Sequence, residues 1–124
     1  RKRFVDALKR AVVDEMPSMY AQSTDRIYRG LWERTTVQLR TDLAISPKQN
    51  PRDHFGKYAL IYTRLAEELS SERLDNAETV TLKTAMEIVW EVANLFRKQA
   101  KELSAAVGYD LVTEKPLLPK KRNP

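Results

Sequence analysis

Three features of the sequence predict an all-α fold. Glycine is scarce, 3 residues in 124, while 31% of residues are charged, a balance that argues against a turn-rich β protein. Apolar residues recur every three or four positions in one segment after another. Between those segments stand Ser, Thr, Asn, Asp and Pro where helices start and stop. The expectation is about five helices forming one domain over residues 1–110. A helix-turn-helix-like corner falls at 36–69, a long last helix at about 76–107, and an extended or disordered basic tail at 111–124.

The first helix should run from about Arg3 to Glu15, with Phe4, Leu8, Ala11, Val12 and Met16 on one face. Pro17 stops it. A second helix should begin at Ser23 or Thr24, either of which can cap free backbone N–H groups, and bury Ile27, Tyr28, Leu31 and Trp32. Thr35 and Gln38 have the spacing of a capping box, so a third helix comes next with Val37, Leu39, Leu43 and Ile45, ended by Ser46-Pro47. Asn50-Pro51-Arg52-Asp53 is another helix start: Asn caps, Pro takes the first helical position, and Asp meets the positive dipole end. That helix should reach Leu69 or Ser71, burying Phe55, Tyr58, Ala59, Tyr62, Leu65, Ala66 and Leu69. Leu60 falls toward the polar side near Lys57 and Arg64, which suggests a contact with another helix or a partner.

The last helix can be capped by Asp75 with Glu78. Leu82, Met86, Val89, Ala93, Phe96, Ala100, Leu103 and Val107 then step alternately by four and three, a heptad seam. Ala85, Ile88, Val92 and Leu95 add a second stripe in the first half only. About thirty residues would make a rod of roughly 45 Å, longer than a compact domain of this size needs. The back half is therefore expected to protrude and form a homodimer through Val89, Phe96, Ala100, Leu103 and Val107. The other arrangement is that it lies along the N-terminal helix of its own chain. Gly108 suits the left-handed residue that closes a helix.

Bulk properties bound the function. With no cysteine, disulfides, thiolate nucleophiles and Cys-based zinc sites are excluded. No apolar run is long enough to span a membrane, and no signal peptide is visible, so the natural setting is the cytoplasm. The chain opens on Arg1, which suggests a piece of something longer. Net charge is +5 with pI near 9.6, a modest basic balance that favours polyanions. The basic residues gather in the N-terminal third and the tail, around an acidic middle from Glu67 to Glu91. Such a pattern suits a nucleic-acid contact at one end, or merely solvates helix faces. In the tail, PKKR weakly resembles a nuclear localisation cluster, but short basic runs are frequent and a solvated terminus is the better reading.

Candidate sites come from the corner. A helix-turn-helix needs a short turn and a second helix whose first residues reach base edges. Arg40, Lys48, Gln49, Arg52 and Lys57 surround the junction as candidate nucleic-acid contacts. Against this, Ala44 stands where such turns favour Gly, Arg40 stands where close helix packing favours a small residue, and Asp53 would face phosphates. A plain two-helix corner would show the same caps. His54 is the only histidine, with no partner for a triad and no second ligand at helical spacing. There is no glycine-rich phosphate loop, GxSxG or HExxH. No catalytic residue, metal or cofactor is expected, and no enzyme activity. The aromatics Tyr20, Tyr28, Trp32, Tyr58, Tyr62 and Trp90 fall mostly on apolar stripes and read as core.

The strings TDRIYRGLW, TTVQLRTDL and NPRDHFGKYAL, within residues 20–70, resemble a helical module of phage and prophage regulatory proteins, the region found with KilA-N and BRO-type DNA-binding domains in antirepressors. That resemblance implies a cytoplasmic, non-enzymatic regulatory module with DNA or a repressor-like protein as partner. It also implies that the DNA-binding part often lies in a separate domain, and it carries over no functional residue. The competing expectation is a pure oligomerisation or protein-interaction domain without DNA contact.

Overall fold

The computed structural model describes residues 2–117. Among them the chain forms five α-helices and one 3-10 turn: α1 Lys2–Ala11, α2 Met19–Trp32, α3 Thr36–Leu43, the 3-10 helix Pro51–His54, α4 Lys57–Asn76 and α5 Leu82–Val107. The all-α expectation holds. Helix α5 packs most extensively on α2 and then on α4, while α1 packs on α4. The core runs between them through Phe4, Leu8, Met19, Ile27, Tyr28, Leu31, Leu39, Leu74, Val89 and Val92.

Small residues set the central crossing. A Cβ placed on Gly30 of α2 would lie 2.3 Å from Ala93 Cβ of α5, so the two helices meet where neither carries bulk. This is why a glycine that weakens α2 by propensity sits in its interior: the close approach recovers packing across the interface.

Several boundaries differ from expectation, each for a tertiary reason. α1 stops at Ala11 instead of Glu15, because the chain leaves the helix to pair with a distant strand-like segment. Val12 and Val80 form an isolated parallel bridge, with Val13 N–H donating to Val80 O and Val80 N–H donating to Ala11 O. α2 begins at Met19, before Ser23, without a side-chain cap; Met19 and Ser23 are both buried. The cap of α5 is Thr81, whose hydroxyl accepts from Thr84 N–H. Asp75, expected as that cap, instead belongs to α4 and pairs with Arg3 and Arg10 of α1.

The expected helix from Pro51 to about Leu69 is broken in two. Asn50 does cap, its side chain accepting from Arg52 N–H, and Pro51 does occupy the first turn. The turn is then 3-10 and ends at Phe55, and a new helix starts after Gly56. Gly56 N–H donates to Val112 O, and a Cβ on Gly56 would meet Leu111 O at 2.4 Å. A segment expected to be tail therefore presses on this junction. Leu111 and Val112 are buried, and residues 109–116 fold into a compact turn held by Asp110 N–H donating to Lys115 O and by a Tyr109–Pro116 bridge. The domain extends past residue 110. The PKKR cluster lies outside the described residues.

The heptad seam of α5 is spent inside the chain. The helix has 26 residues, about 39 Å at 1.5 Å per residue. Val89 and Ala100 are 0% and 2% exposed, and Phe96, Leu103 and Val107 pack against the core. These five residues face α2, α4 and the C-terminal turn, so a second copy could not reach Val89 or Ala100. The covering helices are not the N-terminal one, which packs on α4.

Candidate nucleic-acid interface

The corner between α3 and α4 is built mostly from local chemistry. Thr35 Oγ1 accepts from Gln38 N–H while Gln38 Oε1 accepts from Thr35 N–H, the reciprocal capping box expected from sequence. Asp25 of α2 then fixes α3 in place: its Oδ1 accepts from Thr36 N–H and from the Thr36 hydroxyl. α3 ends at Ala44, which takes the left-handed conformation with φ 57°. Ala44 is thus the left-handed residue where glycine fits best, and its Cβ makes the turn cost about 1 kcal/mol.

From Ala44 the chain runs through seven loop residues, 44–50, before the 3-10 turn. Gln49 organises this loop. Its side-chain Oε1 accepts from Ser46 N–H, its main-chain oxygen accepts from Arg40 Nε–H at 2.9 Å, and its Nε2 lies 3.5 Å from His54 Nε2. The connection is longer than a helix-turn-helix turn, and it leads into a single turn of 3-10 helix packed on α3. No recognition helix starts at Pro51.

The five candidate contacts separate. Arg52 is withdrawn: its Nη1 lies 2.6 Å from Glu67 Oε2 of α4, and the two side chains are only 10% and 8% exposed. A guanidinium neutralised and buried this way is not offered to phosphates. Gln49 is committed to the loop. Lys57 is exposed at the start of α4 with its ammonium 5.2 Å from the Tyr58 ring centroid. Arg40 and Lys48 do come together. They line a groove of about 320 Å3 with Thr24 and Tyr28 of α2, Thr36 of α3, and Asn50. No carboxylate lines this groove. Arg40 keeps its two Nη nitrogens for a ligand, since only its Nε is bonded, and Lys48 has no ion pair among the described residues. The sequence marks Thr24 only as a helix cap and Tyr28 only as core; that they wall this groove comes from the packing of α2, a helix outside the corner.

The other candidates lie elsewhere on the molecule. His54 is exposed beside Gln49. Of the aromatics, Tyr28 is buried and stacks edge-on with Phe55, Trp32 meets the same Phe55, and Tyr62 meets Phe96. Trp90 departs from the core expectation and is 39% exposed. On α4 the outward apolar residues are Ile61 and Leu65, one turn apart, rather than Leu60, which is half-buried. Among the described residues no group of three His, Cys, Asp or Glu side chains stands close enough to hold a metal ion, and no helix is long and apolar enough to cross a membrane.

Comparison with known proteins adds no constraint: no family model, no curated protein and no solved structure matches the chain.

Proposed function

We propose that this domain is a non-enzymatic regulatory module, of the kind phage and prophage proteins use, that binds nucleic-acid phosphates in the Arg40–Lys48 groove. The observation that supports it is the composition of that groove: two cations, two threonine side chains and an asparagine, with no acid on its walls. Cations of this kind position a backbone without reading sequence. Affinity should therefore be insensitive to base order and fall steeply with salt, as released counterions require.

The test is fluorescence anisotropy of labelled duplex DNA at about 50 and about 200 mM salt. Salt-dependent binding that Arg40→Ala and Lys48→Ala each weaken, while Lys115→Ala leaves it unchanged, supports the reading. Absence of binding at the lower salt sinks it. The second reading is a protein-interaction or assembly domain without DNA contact. It draws on Ile61 and Leu65, 50% and 45% exposed one turn apart on α4, a pair of apolar side chains presented together. Sedimentation of the wild type and of Ile61→Glu separates the two.

A further inference from the structure

One face of α4 has no neighbour among the described residues. Lys57, Ile61, Leu65, Glu68 and Glu72 recur at steps of four and three and are all exposed, while Ala59, Thr63, Ala66 and Ser70 of the same helix are buried. Ile61 and Leu65 form the apolar centre of that stripe. Beside them lies a shallow cleft of about 400 Å3, walled by Arg3 and Phe4 of α1, so the face offers a ridge next to a groove. Helices packed on one another exchange those two shapes.

The charges on the stripe are ordered. Lys57 stands before the apolar pair, and Glu68 and Glu72 stand after it. Glu68 meets Arg3, whose Nε lies 3.2 Å from its Oε2, whereas Lys57 and Glu72 have no ion pair among the described residues. The order also runs against the helix itself. The first position of α4 sits at the positive end of its dipole, where an acid is favoured, yet the chain puts Lys57 there and no acid in the first turn. Within the chain Lys57 meets only the ring of Tyr58. A partner's carboxylate would supply what is missing.

That order selects the occupant. Nucleic acid would meet Glu68 and Glu72 and be repelled. A second copy laid parallel would set Lys57 on Lys57 and acid on acid. A second copy laid antiparallel, about a two-fold axis, does the reverse. With Ile61 of one copy opposite Leu65 of the other, Lys57 falls opposite position 69, between Glu68 and Glu72 of the second copy. Two-fold symmetry makes each of these contacts twice. We propose that α4 docks antiparallel on α4 of a second copy, with Ile61 and Leu65 at the centre and Lys57 against Glu68 and Glu72 at both ends. The inference deepens the assembly reading and rests on its exposed apolar pair; none of these residues lines the Arg40–Lys48 groove. One helix face makes a small interface, below about 1,200 Å2, so the dimer is of the weak, transient class.

Sedimentation equilibrium of the whole chain, run up to about 1 mM, is the test. The expected result is a reversible monomer–dimer equilibrium that Ile61→Glu abolishes. Lys57→Glu and Glu72→Lys should each weaken it about tenfold, since each turns two attractions into two repulsions. Both sites are exposed, and Lys57→Glu suits the dipole of α4 better than lysine, so a weaker dimer does not reflect a weaker fold. An equimolar mixture of the two variants should dimerise more tightly than either alone, because the reversed charges then face each other. A wild type that stays monomeric overturns the inference. Self-association that Ile61→Glu leaves intact overturns this face. Association lost in Ile61→Glu but indifferent to both reversals keeps the assembly reading and overturns the two-fold arrangement. Anisotropy of labelled DNA with the Ile61→Glu variant reports on the Arg40–Lys48 groove separately.

Discussion

Arg40 and Arg52 flank one turn and read alike in the sequence, yet the fold uses them in opposite ways. Arg52 meets a carboxylate brought from α4 and disappears into a buried pair with Glu67. Arg40 meets only a main-chain oxygen and keeps most of its guanidinium for the groove it shares with Lys48. The charge of a side chain is set by its chemistry, but its availability is set by which opposite charge the fold delivers. The same difference separates stability from binding: a buried pair is costly to break, whereas a half-exposed cation is nearly free to remove.

The largest effect should come from breaking the pair. Arg52→Ala leaves Glu67 buried without its cation and is expected to cost about 3 kcal/mol or more in denaturant unfolding. Arg40→Ala, by contrast, should change stability by no more than about 0.5 kcal/mol while weakening DNA binding. Equal losses in the two variants would erase the contrast between them. Next comes Gly30→Ala. It puts a methyl 2.3 Å from Ala93 Cβ and should destabilise by about 1–3 kcal/mol, shifting the α2 wall of the groove with it. Paired with Ala93→Gly, part of that loss should return, a double-mutant coupling that calorimetry can read.

Smaller effects sharpen the corner itself. Thr35→Ala removes half of the capping box of α3 and should cost about 1 kcal/mol. Because α3 carries Arg40, hydrogen exchange at residues 36–43 should rise with it. Ala44→Gly relieves the left-handed alanine and is expected to raise stability by about 0.5–1 kcal/mol, seen as a higher melting temperature with DNA affinity unchanged. The smallest is a pH effect at the other end of α2. Burial opposes the charge of Asp110, but hydrogen bonds from Arg34 and Thr113 outweigh it and hold its carboxyl below its ordinary value of 3.8. A group whose pKa is lowered on folding stabilises the folded state above its unfolded value and loses that contribution as pH falls through the folded one. Unfolding titrations of wild type and Asp110→Asn should therefore differ at pH 6 and converge toward acid, below about 3.8.

What could be read from the sequence was what is decided within a few residues. The capping box of Thr35 and Gln38, the Asn50-Pro51 start and the Gly108 stop are local hydrogen bonds and local backbone preferences, and they stand where the pattern put them. The long apolar stripe of α5 was legible as well, but not what it faces, since a seam meant for a neighbour in the same chain and one meant for a second copy obey the same spacing. The interruption at Gly56 was invisible because its cause is Val112, and the end of α1 because its cause is Val80. The corner's basic residues were found by charge, yet the groove that gathers two of them needs Thr24 and Tyr28 from α2, and only the packed fold supplies those neighbours.

The hydrogen bond from Gly56 to Val112 also bears on the order of events during synthesis. The junction that launches α4 is completed by a segment synthesised well after it, as the clasp between Val12 and Val80 must wait for the far side of α4. Neither the first helix nor the corner can settle on its own half. Folding while the chain is still being made should therefore stay incomplete until the 109–116 turn has emerged. A nascent chain arrested before Val112 is then expected to remain open to proteases at the 55–57 junction, while one that extends well beyond it is protected.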